Sequence, residues 1–326
     1  EGNVFLVSDG CFTQTIEVVR TRAKYLGIEV RVVKDNEIEL TDDVFGMLVQ
    51  YPATDGSVND YTSLFAQAKE KGIYICAAAD LMSLTLLKPP GEFGADVVVG
   101  TSQRLGVPMG FGGPHAAFFA TKDAYKRMIP GRIIGVSLDA DGNPGYRMAL
   151  QTREQHIKRE KATSNICTAQ VLLAVIAGMY AVYHGADGLK EIALRMHKFA
   201  MLLDRNLVKL GYNQTNEYYF DTLNIDLGDD SAGKMKQIKD IAESKSYNFR
   251  YSGNTIGISV NEVTDIKEVK DIIEIFTEAS DGGAVKMDDM ADSSLAIQKE
   301  LVRESKYLLH QVFNTHHSET EMLRYL

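Results

Sequence analysis

Val44-Phe-Gly-Met-Leu-Val-Gln50 and Ile73-Tyr-Ile-Cys-Ala-Ala-Ala79 bracket the stretch 61–71, and these three segments together decide the fold class. The outer two are continuous apolar runs without polar alternation, the pattern of strands covered on both faces. The middle one is amphipathic at helical spacing. Strand, helix, strand in that order is the unit of a parallel sheet. The alternation extends outward, with further strands expected at 4–7, 28–33 and 97–99 and a helix at 14–26. In that helix Ile16, Val19, Ala23 and Leu26 share one face, while Glu17, Arg20 and Lys24 lie off it.

The chain has 326 residues, about two domains' worth at roughly 150 residues each. Its 35 basic side chains against 44 acidic ones leave a net charge of −9, which argues against a nucleic-acid partner. Cys11, Cys76 and Cys167 are odd in number and lack a C-x-x-C pair, so a disulfide framework and a zinc ribbon are not expected. The start, Glu1-Gly-Asn-Val-Phe-Leu-Val-Ser8, carries no signal-peptide pattern and enters a strand at once. An N-terminus truncated in mid-fold is the expectation. The longest apolar run, 171–183, is shorter than the ~20 residues a membrane span needs and reads as a buried core helix.

Beyond residue 121 the pattern changes. A hairpin is expected within 131–150 around Asp141-Gly142-Asn-Pro144. Thr152-Arg-Glu-Gln155 has capping-box spacing ahead of a polar helix to about Lys161. An apolar helix over 166–183 breaks at His184-Gly185, and a long amphipathic helix over 187–210 stops before Gly211. Residues 212–280 read as a smaller α+β unit: a strand at 220–227, a helix at 232–244 and a hairpin pairing 249–251 with 255–260. A last helix starts at Thr264. Residues 280–294 are expected to form an acidic connector and 295–306 a helix, and the apolar residues near the chain end are expected to pack on a partner or run into a further domain. The domains are thus 1–186, a large α/β unit; 187–280, a long helix with the small α+β unit; and 281–326, connector and tail.

The glycine-rich stretch Gly106-Val-Pro-Met-Gly-Phe-Gly-Gly-Pro-His115 precedes a strand at 116–120. It is neither a dinucleotide fingerprint nor a P-loop, so a nicotinamide-dependent dehydrogenase lacks its loop. Two readings remain: a tight strand connection that needs positive φ, or direct ligand contact. Arg153, His156, Lys158, Arg159 and Lys161 form either a solvated basic helix or an anion seat. Lys161, before Ala-Thr163-Ser164-Asn165, is a Schiff-base candidate only if a desolvating pocket lowers its pKa. His184, His197 and His310 stand alone, His316 and His317 cannot face one way, and no cluster has metal-ligand spacing. The residues by themselves stop at an α/β protein of undetermined chemistry.

Six longer motifs go further. Lys88-Pro-Pro-Gly-Glu-Phe-Gly-Ala-Asp96, Gly100-Thr-Ser-Gln-Arg104 and Gly110-Phe-Gly-Gly-Pro-His-Ala-Ala-Phe-Phe119 come in close order. Leu150-Gln-Thr-Arg-Glu-Gln-His156, Lys161-Ala-Thr-Ser-Asn-Ile-Cys-Thr168 and His317-Ser-Glu-Thr-Glu-Met-Leu-Arg324 follow. Together they resemble the glycine cleavage system P-protein, over nearly the whole chain, in the N-terminal half of that family's two-half architecture and without that half's first segment.

The resemblance implies a type I pyridoxal phosphate-dependent transferase fold and a part in glycine decarboxylation with aminomethyl transfer to a lipoyl carrier, the H-protein. It implies that the cofactor sits on the C-terminal half, on the lysine of a His-Lys-Thr motif. Matching Pro108 to the proline that follows that motif puts Gln103 in the lysine's place, and an amide forms no imine. The aspartate that pairs with the pyridine nitrogen falls near Ala77, with Asp80 as a substitute three residues on. The implied role is a non-catalytic half that completes the active site, with the C-terminal half, the H-protein and glycine as partners. No catalytic, cofactor or metal residue is assigned here. A stand-alone pyridoxal phosphate enzyme using Lys161 is the alternative. The implied location is the cytoplasm of a prokaryote or the mitochondrial matrix of a eukaryote.

Overall fold

The computed structural model describes residues 2–111, 113, 116–129, 133–149, 155–162, 169–229, 231–280 and 294–326. Residues 152–154 of the proposed capping box, residues 281–293 of the connector, Cys167 and residues 112, 114 and 115 of the glycine loop fall outside them.

Six strands make the main sheet: β1 (Val4–Ser8), β2 (Glu29–Val33), β3 (Val44–Tyr51), β4 (Tyr74–Ala79), β5 (Val97–Thr101) and β6 (Ala117–Thr121). Their order is β2-β1-β3-β4-β5-β6, parallel except for β6, which runs against β5. Residue alternation sorts the side chains. Val4, Leu6, Met47, Val49, Ile75 and Ala77 enter the principal core, where α2 (Thr62–Glu70) adds Phe65 and Ala68. Val7 and Leu48 point to the opposite face and meet Ile16 of α1 (Thr13–Lys24). Leu26 does not join that face. The helix ends at Lys24, and Leu26 lies in the turn before Gly27, 74% exposed.

The expected hairpin is present as β7 (Ile134–Leu138) paired with β8 (Pro144–Met148), a sheet of two strands only. The polar helix is a single turn, α3 (Gln155–Lys158), followed by a 3₁₀ turn over Arg159–Lys161. The expected apolar and amphipathic helices form one element, α4 (Ala169–Lys209), interrupted at Gly185 with φ 62° and ψ −174°. Breaking a helix frees backbone carbonyls. Here His317 Nδ1 meets the Tyr183 O freed on the near side at 2.8 Å, and Tyr307 Oη donates to Ala186 O just past the break at 2.9 Å. A Cβ at Gly185 would lie 2.7 Å from Phe313 O, so only glycine lets the tail cross the break this closely.

The small unit is an antiparallel sheet in the order β11-β12-β10-β9: β9 (Asn213–Gln214), β10 (Thr222–Asp226), β11 (Arg250–Ser252) and β12 (Thr255–Ser259). Against it lie α5 (Ser231–Ser244) and α6 (Ile266–Glu278). Val269, Ile272, Ile273, Ile275 and Phe276 of α6 are buried, each worth about 1.5–3 kcal/mol over exposure. The cap of α6 is Asp265, in a reciprocal box with Glu268, and not Thr264. Thr264 instead closes a turn with Asn261, accepting its N–H at 3.0 Å. The second half of α4 serves both cores: Leu189, Ala193 and Met196 face the large one, Phe199 to Leu207 the small one.

One sequence expectation fails in the tail. Residues 295–306 are not a helix: only Lys299–Leu301 forms a 3₁₀ turn. The segment runs extended beside residues 84–88, with Lys88 N donating to Leu301 O and Arg303 N to Leu86 O, both at 2.7 Å. Ile297 and Leu301 are buried in the chain's own core, where backbone pairing and apolar burial together override helical periodicity. The last helix, α7 (Glu319–Tyr325), keeps its large apolar residues Leu323 and Tyr325 exposed.

Candidate functional site

Parallel strands deliver their following loops to one edge of a sheet, and open α/β sheets bind ligands there. At that edge β4 ends in Ala79 and the chain turns at Asp80, whose carboxylate accepts Met82 N–H at 3.0 Å. Next to it β5 ends in Thr101. Ser102 N and Oγ both donate to Ala116 O, at 2.8 and 3.0 Å, and Gln103 N donates to Thr101 Oγ1 at 3.1 Å. This tight turn presents Gln103 and Arg104 side by side.

Arg104 reaches into the seam between the two units. Its guanidinium pairs with Asp80 from the large sheet and with Asp221, which leads into β10. It also meets Glu262 at 3.4 Å and Val260 O at 3.3 Å, both just after β12, and lies 5.9 Å above the Phe220 ring. Burial opposes its charge, yet Asp80 and Asp221 more than offset this and push its pKa up. Burial also holds the Asp80 carboxyl above the usual carboxylate range, against the pull of Arg104. Three carboxylates around one cation are therefore a pinned structural node. The sequence singles out Asp80, but Asp221 and Glu262 lie 117 and 158 residues from Arg104 and carry no local signal.

Gln103 is half-buried, and Ala77 is fully buried inside β4. A Cβ at Gly113 would fall 2.6 Å from Gln103 Nε2, and one at Gly106 2.7 Å from the Tyr180 ring. Both glycines have positive φ, as the tight-connection reading of this loop requires. Lys158, Arg159 and Lys161 are exposed. Arg153 and the His156 side chain lie outside the described residues.

Two cavities, unmarked by any sequence motif, sit where the strand order reverses, beyond the ends of β1 and β3. One, of about 510 Å³, lies between the start of α1 and the small sheet, with Thr54, Thr222 and Arg250 in its wall. The other, of about 610 Å³, is lined by Asp9, Asp35, Asp55 and Lys34. Neither includes Gln103, Asp80 or Lys161. Among the described residues no group of histidine, cysteine or acidic side chains has metal-holding geometry.

The histidines with described side chains each have a packing or hydrogen-bond partner within the chain. His184 packs on Tyr180 at 4.3 Å between ring centroids, and His316 on Tyr325 at the same distance. His310 Nδ1 accepts Val312 N–H at 3.2 Å. His197 is fully buried, with Nδ1 2.7 Å from Phe220 O and Nε2 accepting Ala296 N–H at 3.0 Å. Burial holds its pKa below the ordinary 6.5, against the Phe220 contact. The unfolded chain takes up that proton first as pH falls, so stability drops from about pH 6.5 downward until the folded pKa is passed. The melting temperature is expected to be lower at pH 5.5 than at pH 7.5, with a smaller gap in His197→Gln. An unchanged gap in the variant would exclude His197 as a source.

Comparison with known proteins fits this geometry. A family model described as glycine cleavage system P-protein matches residues 1–276. Proteins named glycine dehydrogenase (decarboxylating) from Nostoc punctiforme and Paraburkholderia phytofirmans are each 50% identical over 333 residues, covering 100% of this chain and 34% of their own length. The chain thus spans about a third of these curated relatives. Among solved structures, a glycine decarboxylase (P-protein) of the glycine cleavage system, in inhibitor-bound form, superposes with a TM-score of 0.77 at 31% identity, over 85% of this chain and 66% of that one. A C-DES mutant with glycine covalently linked to its PLP cofactor gives 0.59 at 14% identity, over 87% and 75%. The fold is that of the type I pyridoxal phosphate-dependent proteins, with a mostly parallel sheet.

Proposed function

The chain belongs to the glycine cleavage system P-protein family, and from that premise we propose that it is the non-catalytic N-terminal part of a glycine decarboxylase. It completes the active site of the C-terminal half and helps receive the lipoyl arm of the H-protein, in a reaction that decarboxylates glycine and passes on its aminomethyl group. The compartment under this reading is the cytoplasm of a prokaryote or the mitochondrial matrix of a eukaryote.

The observation that carries the reading is at the ends of β4 and β5. Pyridoxal phosphate held covalently requires an amine to form an imine and a carboxylate free to meet the pyridine nitrogen. Gln103 offers an amide where the family motif has its lysine, and Ala77 offers a methyl group. Asp80 is already bound by Arg104 and by the Met82 N–H. These residues do not fit the cofactor, which belongs on this reading to the C-terminal half. Lys161 is exposed in a 3₁₀ turn, without the desolvating pocket an imine lysine needs.

The test is reduction with borohydride after mixing the chain with pyridoxal phosphate, followed by peptide mass spectrometry. No stoichiometric lysine adduct is expected, and a single one at Lys161 would establish the stand-alone enzyme instead. Glycine–bicarbonate exchange is expected only when this chain and the C-terminal half are combined. Equal exchange by the C-terminal half alone would end the proposal.

A further inference from the structure

The strand order β2-β1-β3-β4 reverses between β1 and β3. The chain leaves β1 through α1, on one face of the sheet, and leaves β3 through α2, on the other. The loops after these two strands therefore part, and the crevice between them is where open α/β sheets take up ligands. The cavity of about 510 Å³ occupies that crevice, closed from the other side by the small sheet. Its volume falls within the ~300–1,000 Å³ of small-molecule sites. The wall is polar, with hydroxyl groups from Thr54, Thr222 and Ser259. Arg250 is its one basic residue among the described ones. Arg250 Nη1 donates to Thr54 O at 2.5 Å and to Thr54 Oγ1 at 2.7 Å, which fixes the guanidinium against the loop after β3. Nε and Nη2 bond to no described residue, and that edge of the fork is the one that takes an oxyanion side-on.

We propose that this cavity binds a small polar oxyanion, a molecule bearing a carboxylate or a phosphate, on the Nε–Nη2 edge of Arg250. The rest of the wall agrees with that charge. It holds Thr13 and Gln14 of the first turn of α1. That turn has no acidic residue, and Phe12 at the cap position offers no side-chain acceptor, so the positive end of the helix is unneutralised there. Asp55, the one carboxylate among the described lining residues, is engaged by Ser57 N at 3.0 Å and Ser57 Oγ at 2.7 Å. The neighbouring cavity has the opposite character, with Asp9, Asp35, Asp55 and Asp60 against Lys34, and repels the same ligand. Gln103 and Asp80 line neither, so the inference stands apart from the proposed function. Because the wall comes from the loop after β3, from α1 and from the small sheet, a bound anion also clasps the two units together.

The test titrates the chain with citrate and with inorganic phosphate by calorimetry, against chloride at equal ionic strength, and records the melting temperature with each. Saturable binding of at least one oxyanion is expected, together with a higher melting temperature than in chloride. Tighter citrate would mark a carboxylate ligand and tighter phosphate a phosphorylated one, and either supports the site. Arg250→Gln is expected to weaken binding about tenfold or more, the worth of a charge-assisted hydrogen bond. Since that variant also loses the Thr54 bonds, Thr13→Glu provides a second reading. Thr13 is exposed, and a carboxylate in the first turn of α1 stabilises the helix while repelling the anion. It should weaken binding to a similar degree without lowering the melting temperature in chloride. Lys34→Gln, in the neighbouring cavity, should leave the affinity within roughly twofold. No saturable binding of either anion would overturn the proposal. So would binding that Thr13→Glu leaves unchanged, or binding that Lys34→Gln abolishes.

Discussion

Replacing Arg104 with alanine is expected to lower the unfolding free energy by about 3–5 kcal/mol, the usual penalty for removing one partner of a buried ion pair. The variant leaves Asp80 and Asp221 facing each other across the seam with their cation gone. Their side chains are 22% and 10% exposed, so water cannot fully replace the guanidinium. Arg104→Lys should recover only part of the loss, since a single ammonium cannot fork to two carboxylates and the Val260 carbonyl at once. The deficit should shrink on acidification. Burial already raises the Asp80 pKa, and protonation of Asp80 removes the uncompensated charge that the alanine variant creates. Urea unfolding at pH 7.5 and pH 5 measures both effects. A loss below about 1 kcal/mol at pH 7.5, the range of exposed pairs, would show the node to be solvated.

Gly56→Ala is the second large effect, expected to cost about 2–4 kcal/mol from strained φ and overpacking together. Gly56 has φ 95°, and a Cβ there would lie 2.2 Å from the Thr222 carbonyl oxygen at the start of β10. Backbone meets backbone at that point, so relief requires the loop after β3 and the small sheet to separate. Around it, Val58 N donates to Tyr218 O at 3.0 Å and Asn216 Nδ2 to Asp55 O at 2.8 Å, and both bonds would lengthen. Gly27→Ala is the matched control. Its φ of 68° is also left-handed, yet nothing lies within 4 Å of its Cβ, so only about 1–2 kcal/mol of backbone strain applies. Thermal melts of the two variants should differ clearly, and equal melts would show that the close approach at Gly56 relaxes without cost.

The parallel sheet was legible because its strands are covered on both faces, so each shows as an unbroken apolar run, as in Val44 to Gln50. The order of the strands was not, since nothing within β6 says that it runs against β5. The tail was misread for a related reason. Leu295, Gln298 and Val302 have helical spacing, but Leu301 O and Val302 find partners in Lys88 and Leu87, more than 200 residues earlier. Local periodicity carries no trace of that pairing. The same holds at the candidate site. The motif Gly100-Thr-Ser-Gln-Arg104 located the turn and its amide, whereas two of the three carboxylates that fix Arg104, Asp221 and Glu262, flank strands of the other unit. Residue chemistry alone stopped at the fold class, and the long motifs supplied the family.

The bonds across the broken helix have a bearing on biosynthesis. Tyr307 and His317 lie 121 and 134 residues beyond the carbonyls they satisfy. At ribosomal speeds of roughly 5–20 residues per second, the break at Gly185 waits about 6–27 s for them. During that interval the nascent polypeptide exposes an unclasped joint in its longest helix, and a chaperone that shields it would raise the yield of correctly assembled protein.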